Sequence, residues 1–422
     1  MIRFSDYLPL LISQFNTMVL PQVYNTLVVI SMPALVGILF LIFWPMWVNY
    51  VRSYKISKTK YVVFEIRLPK ETIKSPKAMD LLLHALHNTS DGSNLKQYWY
   101  GETRPWYSLE IISIEGQVKF MMWGEAARKV GMMSALYAQF PGIEVKEIED
   151  YTKGVHYDAK TMKVWAAEFE LTKSDPYPIK TYIDYGLDKD PKEEFKVDPL
   201  VPGIEFLGNI GANQQVWIQF LIRAHKAEQT KKGTWFQKTD DWKDAAQAEM
   251  DKIMNRDPKT KSVKVKEEEK AAPVMLNDYE DEAVKAISRS ISKLPFDTII
   301  RTLYIAKKED FDTPFGMGGI ISFFKNFSSE SLNGFKPKKK WTPTLDAPWK
   351  DYKDKKRNIY AEIGIMAYKM RSGFYPPFES SCNVFNTEEL ATMYHFPGSV
   401  STTPTLDRVP SKKGEAPANL PV

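Results

Sequence analysis

The stretch from Leu27 to Val48, LVVISMPALVGILFLIFWPMWV, carries no charge, and the uncharged run around it extends from Tyr7 to Val51. At about 1.5 Å per residue it would form a helix of roughly 33 Å, enough to cross a hydrocarbon core of about 30 Å. Thirteen of its residues are Leu, Ile, Val or Phe. Together they favour insertion by on the order of 6 kcal/mol before Pro33 and Pro45 are set against them. Trp44, Trp47 and Tyr50 gather at the far end, and Arg52, Lys55, Lys58 and Lys60 follow at once. Amphipathic rings favour the headgroup level, so Trp44, Trp47, Tyr50, Arg52 and Lys55 form the predicted membrane interface. The amino side offers only Arg3 and Asp6. The excess of cations therefore predicts an extracytoplasmic amino terminus and a cytoplasmic remainder. A cleaved signal peptide would have a shorter apolar region and a small-residue cleavage site, and neither is present. Residues 1–26, interrupted by Pro9 and Pro21, are expected to lie outside or at the interface, with residues 27–50 spanning.

Taken whole, the 422 residues are 26% charged and 44% hydrophobic with a net charge of +5, ordinary globular values. The chain's length suits two or three domains. One cysteine, Cys382, excludes an intrachain disulfide framework and fits a reducing compartment. Five scattered histidines and one cysteine give no zinc-type spacing, so neither a metal nor another cofactor is expected.

From Tyr61 the pattern alternates. YVVFEIRL reads as a strand and SPKAMDLLLHALHNT as a helix with Ser75 as N-cap and Pro76 at its first position. WYSLEIISIEG and QVKFMMWG read as a hairpin turning at Gly116, EAARKVGMMSALYAQF as a helix, and IEVKEIED as a strand. This β-α-β-β-α-β order predicts a ferredoxin-like unit over residues 61–152. MKVWAAEFEL, DPLVPGIEFLGNI, QQVWIQFLIRA, DYEDEAVKAISRSISKL, FDTIIRTLYIAKK and GMGGIISFFKNF predict a second α+β unit over 160–330. It is interrupted by a charged insertion at 226–270 that contains one candidate helix, DDWKDAAQAEMDKIM. The fold class expected is therefore α+β, one transmembrane helix followed by tandem ferredoxin-like units. Residues 331–422 read as a basic, aromatic segment, a short helix at NTEELATMY with Asn386 and Glu389 at capping-box spacing, and an extended tail.

No G-x-x-x-x-G-K-[ST] occurs, and the glycines at 316, 318 and 319 are followed by Ile320 and Ile321 rather than Lys and Ser. Residues 335–358 hold nine cations against three acids, interleaved with Trp341, Trp349 and Tyr352. Lys336, Lys338, Lys339, Lys340, Trp341, Lys353, Lys355, Lys356 and Arg357 are the candidates for nucleic-acid or lipid contact, or they form a plain solvated surface. His84 and His87, three apart on a helix, read as a helix-face pair, and His156 and His395 show no partner. Glu168, Glu170, Glu388 and Glu389 read as exposed charge, while Trp123, Trp165 and Trp217 read as sheet core. No catalytic constellation emerges.

ETIKSPKAMDLLLHALHNT, PWYSLEIISIEGQVKFMMWG, LYAQFPGIEVKEIEDYT and NTEELATMYHFPG resemble the membrane-anchored N-terminal region of bacterial type IV secretion, conjugation-type DNA-transfer ATPases. The likeness runs from about residue 61 to the end. It implies tandem ferredoxin-like modules, the bacterial inner membrane, and assembly beside a ring-forming RecA-like motor of the FtsK and HerA kind. The chain reaches Val422 where that motor would begin, so a separate or downstream ATPase is the expected partner and no nucleotide-binding residue is carried over. The expected role is non-catalytic anchoring and assembly in DNA translocation, with DNA itself and further copies of the chain as additional partners. The alternative is a membrane-tethered scaffold or ligand sensor unrelated to DNA transfer.

Overall fold

The computed structural model describes residues 13, 15–69, 75–188, 197–227, 229–230, 238–254, 256, 276–343, 349–398 and 408–409. Two compact units result, one formed by the amino-terminal helix with residues 92–103, the other by the rest.

In the first unit, a π-helical turn at Phe15–Val19 leads into helix α1, Leu20–Lys58. The helix starts well before the predicted span and includes Pro21. The interfacial segment expected before residue 27 is therefore helical from Phe15 onwards, and residues 1–12 lie outside the described residues. Helix α3, Asn94–Trp99, completes this unit, with Ser93 as its N-cap.

The second unit is built on one antiparallel sheet. Its strands are β1 (Tyr61–Pro69), β2 (Trp106–Ile114), β3 (Gln117–Glu125), β4 (Glu144–Ile148), β5 (Met162–Leu171), β6 (Gln214–Ala224), β9 (Pro295–Lys307) and β10 (Phe335–Pro337). The separate two-stranded ribbon β7–β8 lies at Gln229–Thr230 and Lys238–Thr239. Neighbours in the sheet run β10-β5-β9-β6-β2-β3-β1, and β4 also pairs with β1. The segments expected as two units thus share one sheet, because β2 and β6 pair antiparallel over their length, from Trp106 opposite Arg223 to Ile114 opposite Gln215. Short strands β11 (Asn383–Asn386) on β9 and β12 (Arg408–Val409) on β1 add to it. The rest of the tail expected after residue 398, and residues 228, 231–237, 255 and 257–270 of the charged insertion read at 226–270, lie outside the described residues.

The hairpin between β2 and β3 forms where the sequence places it. Glu115 and Gly116 both take positive φ, the arrangement that matches strand twist in a two-residue turn. Gly116 is required twice over, since a Cβ there would come within 2.8 Å of the Gly208 carbonyl.

One face of the sheet is covered by α2 (Lys77–Leu86), α4 (Lys129–Gln139), α5 (Val201–Gly208) and α8 (Gly318–Lys325), which bury Leu83, Met132, Leu207 and Phe323 against Phe64, Phe120, Phe220 and Ile300. Helix α2 begins at Lys77, one residue later than expected, with Pro76 at the cap position. The glycines near 316 serve packing here. A Cβ at Gly316 would run into the Tyr304 ring and one at Gly319 into the Phe206 ring. Helices α6 (Asp241–Ile253) and α7 (Asp278–Ile291) pair through Ala246, Met250, Val284 and Ile287.

The opposite face is covered by a helix absent from the sequence reading, α9 at Lys355–Lys369, whose Ile365 and Tyr368 pack on Trp217, Ala166 and Leu303. Helix α10, Thr387–Met393, is capped as its spacing predicts. The Asn386 side chain accepts from the Glu389 N–H at 2.8 Å, and Glu389 accepts from the Asn386 N–H at 3.0 Å. Asn386→Ala is expected to cost about 1 kcal/mol and to lower Tm by about 1–2 °C in thermal unfolding of the detergent-solubilised chain.

Candidate functional site

In the first unit, Trp44 and Trp47 of α1 are half-buried because α3 lies against them. The Trp44 ring sits 5.7 Å from Tyr98 and 6.4 Å from Trp99, and Trp47 sits edge-on to Trp99 at 5.8 Å. Tyr50 and Lys55 are exposed, and Arg52 is half-buried. Of the predicted interface residues, Trp44, Trp47 and Tyr50 thus form one aromatic cluster, to which Tyr98 and Trp99, missed by the sequence reading, contribute.

In the second unit, the predicted basic segment separates into buried and exposed parts. Lys338 and Trp341 are buried, which removes them from any contact with phosphate or lipid. Lys338 lies beside Glu168, with its Nζ 3.5 Å from Oε2, and also donates to Ser380 and to the Ser381 carbonyl. Trp341 stacks under the Arg301 guanidinium at 5.4 Å. Lys336 is exposed and pairs with Glu170 at 3.5 Å. Lys339, Lys340, Lys355, Lys356 and Arg357 are exposed, Arg357 pairing with Asp354 at 2.9 Å. The side chain of Lys353 lies outside the described residues. The exposed cations therefore stand on two short stretches rather than on one continuous strip.

The acids read as exposed charge are mostly buried. Glu168, Glu388 and Glu389 are almost fully covered, and only Glu170 keeps partial contact with solvent. The reason for Glu168 is a row across the sheet. Glu168, Arg301, Gln219 and Glu110 stand opposite one another on β5, β9, β6 and β2. Arg301 Nη2 donates to Glu168 at 2.7 Å, Arg301 Nη1 to Gln219 at 3.4 Å, and Gln219 to Glu110 at 3.1 Å. Beyond Glu110 the Arg371 guanidinium closes the row, donating to Glu110 at 3.0 Å and to both oxygens of Asp150. Tyr151 donates to Glu110 at 2.8 Å and meets the Tyr368 hydroxyl at 2.9 Å.

The row faces α9 and the chain that follows it. Arg301 donates to the Ala367 and Ser372 carbonyls, Gln219 to that of Tyr368, and the Trp106 indole to that of Arg371. Burial acts to raise the Asp150 carboxyl, but Arg371 and the bonds from Thr152 outweigh it and hold the group below the usual range. Burial and the neighbouring Glu110 push both Tyr151 and Tyr368 far up, so neither ionises. Every charge in this row is satisfied by a partner within the fold, and its work is to fasten the C-terminal segment to the sheet.

On the other side of the molecule, Glu389 also accepts from the Ile179 N–H at 2.9 Å. Burial nevertheless pushes its pKa up to about 8. Glu388 accepts from Thr181 at 2.6 Å and pairs with Arg289 at 3.1 Å. His395, read as having no partner, is buried against Asp198 at 3.0 Å. His84 lies 3.2 Å from the Thr387 hydroxyl and 3.5 Å from Asp80, and His87 meets the Pro295 carbonyl at 3.1 Å, so both are held by contacts within the fold. Trp123 and Trp217 are buried as expected, and Trp165 is half-buried.

The nearest approach to a reactive set is His225, Asp297 and Cys382. His225 Nδ1 lies 2.6 Å from Asp297 and Nε2 lies 3.4 Å from Asp240. Both ring nitrogens face carboxylates, which raise its pKa against the effect of burial. Burial, with Asp297, pushes the Cys382 thiol up to about 11, away from the thiolate a nucleophile needs. Among the described residues no three His, Cys, Asp or Glu side chains gather as a metal site.

These features define a mixed helix-and-strand protein with one long apolar amino-terminal helix and an antiparallel sheet. Within that class, the chain belongs to the family described as a domain of unknown function (DUF8128), which matches residues 53–339, from the end of α1 to just past β10. No curated protein matches it.

Proposed function

We propose that the chain is the membrane-anchored, non-catalytic assembly region of a DNA-translocating ATPase system of the type IV secretion or conjugation kind. The observation that carries this reading is α1, long and apolar enough to span, with large apolar side chains exposed from Phe15 to Phe43. The cations that follow support a single pass through a bacterial inner membrane, with the sheet on the cytoplasmic side.

The strand orders β4-β1-β3-β2 and β10-β5-β9-β6 support reading the sheet as two ferredoxin-like copies joined edge to edge through β2 and β6. In that reading α6 and α7 are an insertion between the middle strands of the second copy. Non-catalysis is supported by the use of the buried charges: they hold the chain's own segments together rather than converge on an open cleft. The resemblance at SPKAMD, SIEG, YAQFPGIEV and NTEELATMYHFPG supplies the partner class, a RecA-like ring motor.

The test is native purification of the full chain in lipid nanodiscs together with each Walker-type ATPase that a neighbouring gene encodes. A stable complex is expected, with ATP hydrolysis confined to the motor. Failure to associate under native conditions, or ATP hydrolysis by this chain alone, would overturn the reading.

A further inference from the structure

Helix α3 leaves an apolar face largely exposed. Leu95 and Trp99, four residues apart and so on one side of the helix, are 60% and 55% exposed, and Tyr100 is 64% exposed. The segment is nonetheless firmly seated on α1. Tyr98 and Trp99 pack on Trp44 and Trp47, and Gly101, at φ +67°, brings its backbone so close that a Cβ would lie 2.5 Å from the Val51 carbonyl. Its height along α1 is therefore fixed between Trp44 and Arg52.

That height has a physical meaning. The roughly 20 residues from Tyr24 to Trp44 rise about 30 Å, one hydrocarbon thickness, which puts Trp44 and Trp47 at the boundary with the headgroups. Leu95, Trp99 and Tyr100 stand at the same level, and Lys96 projects from the same short helix, 3.8 Å from Glu102. Amphipathic rings beside a lysine suit the glycerol and phosphate layer of a phospholipid leaflet.

We propose that residues 92–103 are a second membrane contact, a foot that seats Leu95, Trp99 and Tyr100 in the headgroup layer beside α1. The inference rests on the anchor reading of α1. It makes the membrane contact two-pronged, so that α1 cannot rotate about its own axis without lifting the foot out of the lipid.

The experiment uses the full chain carrying Cys382→Ser, with a single cysteine introduced by Leu39→Cys, Leu95→Cys or Lys340→Cys and spin-labelled. Each variant is placed at one copy per nanodisc of phosphatidylethanolamine and phosphatidylglycerol. Collisions with oxygen and with a water-soluble nickel chelate are then compared. The label at 39 is expected to be lipid-exposed and the label at 340 aqueous, with the label at 95 several-fold better shielded from nickel than that at 340. A label at 95 as open to nickel as that at 340, with the label at 39 still in lipid, overturns the foot and leaves the anchor standing. A label at 39 open to nickel overturns the anchor and the foot together. Shielding at 95 that arises only when several copies share a disc, with dipolar broadening between labels, makes a second copy the occupant and overturns the lipid contact.

Discussion

Arg371→Met is expected to lower the free energy of unfolding by about 3–5 kcal/mol, the range for removing one partner of a buried ion pair. The guanidinium is wholly enclosed and supplies bonds to Glu110 and Asp150 at once. Once it is gone, Asp150, partly open to water, can rehydrate, whereas Glu110 cannot. The cost therefore concentrates on Glu110. Replacing Glu110 by glutamine in the same chain should recover a good part of it, because the amide oxygen can still accept from Ser108 and Gln219 while its NH2 faces the Tyr151 hydroxyl, and the side chain carries no charge. Chemical denaturation of wild type, both single variants and the double variant forms a cycle that isolates the pair. A double variant no more stable than the sum of the singles predicts would show that Arg371 acts through packing alone. Hydrogen exchange gives an independent readout: α9 and the chain after it should lose protection first, since this row is what ties them to the sheet.

That row also explains what could and could not be read from the residues in order. WYSLEIISI, MKVWAAEFEL, QQVWIQFLIRA and FDTIIRTLYIAKK carry the members of the row, Glu110, Glu168, Gln219 and Arg301, amid apolar residues, and the alternation located the strands correctly. The same alternation suggests that Glu168 faces water, because a strand with a polar side usually has a solvated face. What covers that face is α9, about 200 residues further along, and no local pattern announces it. Helix α9 itself was hidden for local reasons. Lys355, Lys356 and Arg357 crowd its first turn, where the helix dipole disfavours cations, and Gly364 sits in its middle. Packing overrides both. The Asp351 carboxylate accepts from the Lys356 and Arg357 N–H groups, and a Cβ at Gly364 would collide with that of Ala166.

The features that did read through are those whose cause is local: the apolar length of α1, the Glu115–Gly116 turn and the Asn386–Glu389 cap. Pairing of β2 with β6 is of the other kind. Each is an edge strand when its own half is considered alone, and only the meeting of the two halves buries Ile112 and Trp217 on one face and Ile111 and Ile218 on the other.

Raising the pH from about 5 to about 8.5 is expected to lower stability, with Glu389 as the main cause. Burial raises its carboxyl to about 8 in the folded chain, with Glu388 and Asp175 adding to the rise against the two backbone N–H bonds it accepts. An unfolded glutamate ionises near pH 4.3. Below that value both states are protonated and the interaction is fully present. Between about 4.3 and 8 only the unfolded chain gives up its proton, so stability is lost progressively as pH rises and levels off once the folded carboxyl also ionises. Linkage puts the loss on the order of 4 kcal/mol over the range named.

His395 acts in the same direction. Burial opposes its charge, but Asp198 and the Ala391 and Thr392 carbonyls prevail and raise its pKa, so its contribution fades as pH climbs above its unfolded value of about 6.5. Asp150, Asp198 and Asp297 have depressed values against the effect of burial, so their contributions vanish only on the acid side, as pH falls through the folded values. The maximum of stability should therefore lie at mildly acidic pH. Glu389→Gln separates Glu389 from the rest. Glutamine keeps one acceptor oxygen and loses the other, so the variant should be weaker than wild type at pH 5 and should show a flatter decline towards pH 8.5. Parallel Tm curves for the two proteins across that range would mean that another group, His395 first among them, sets the slope.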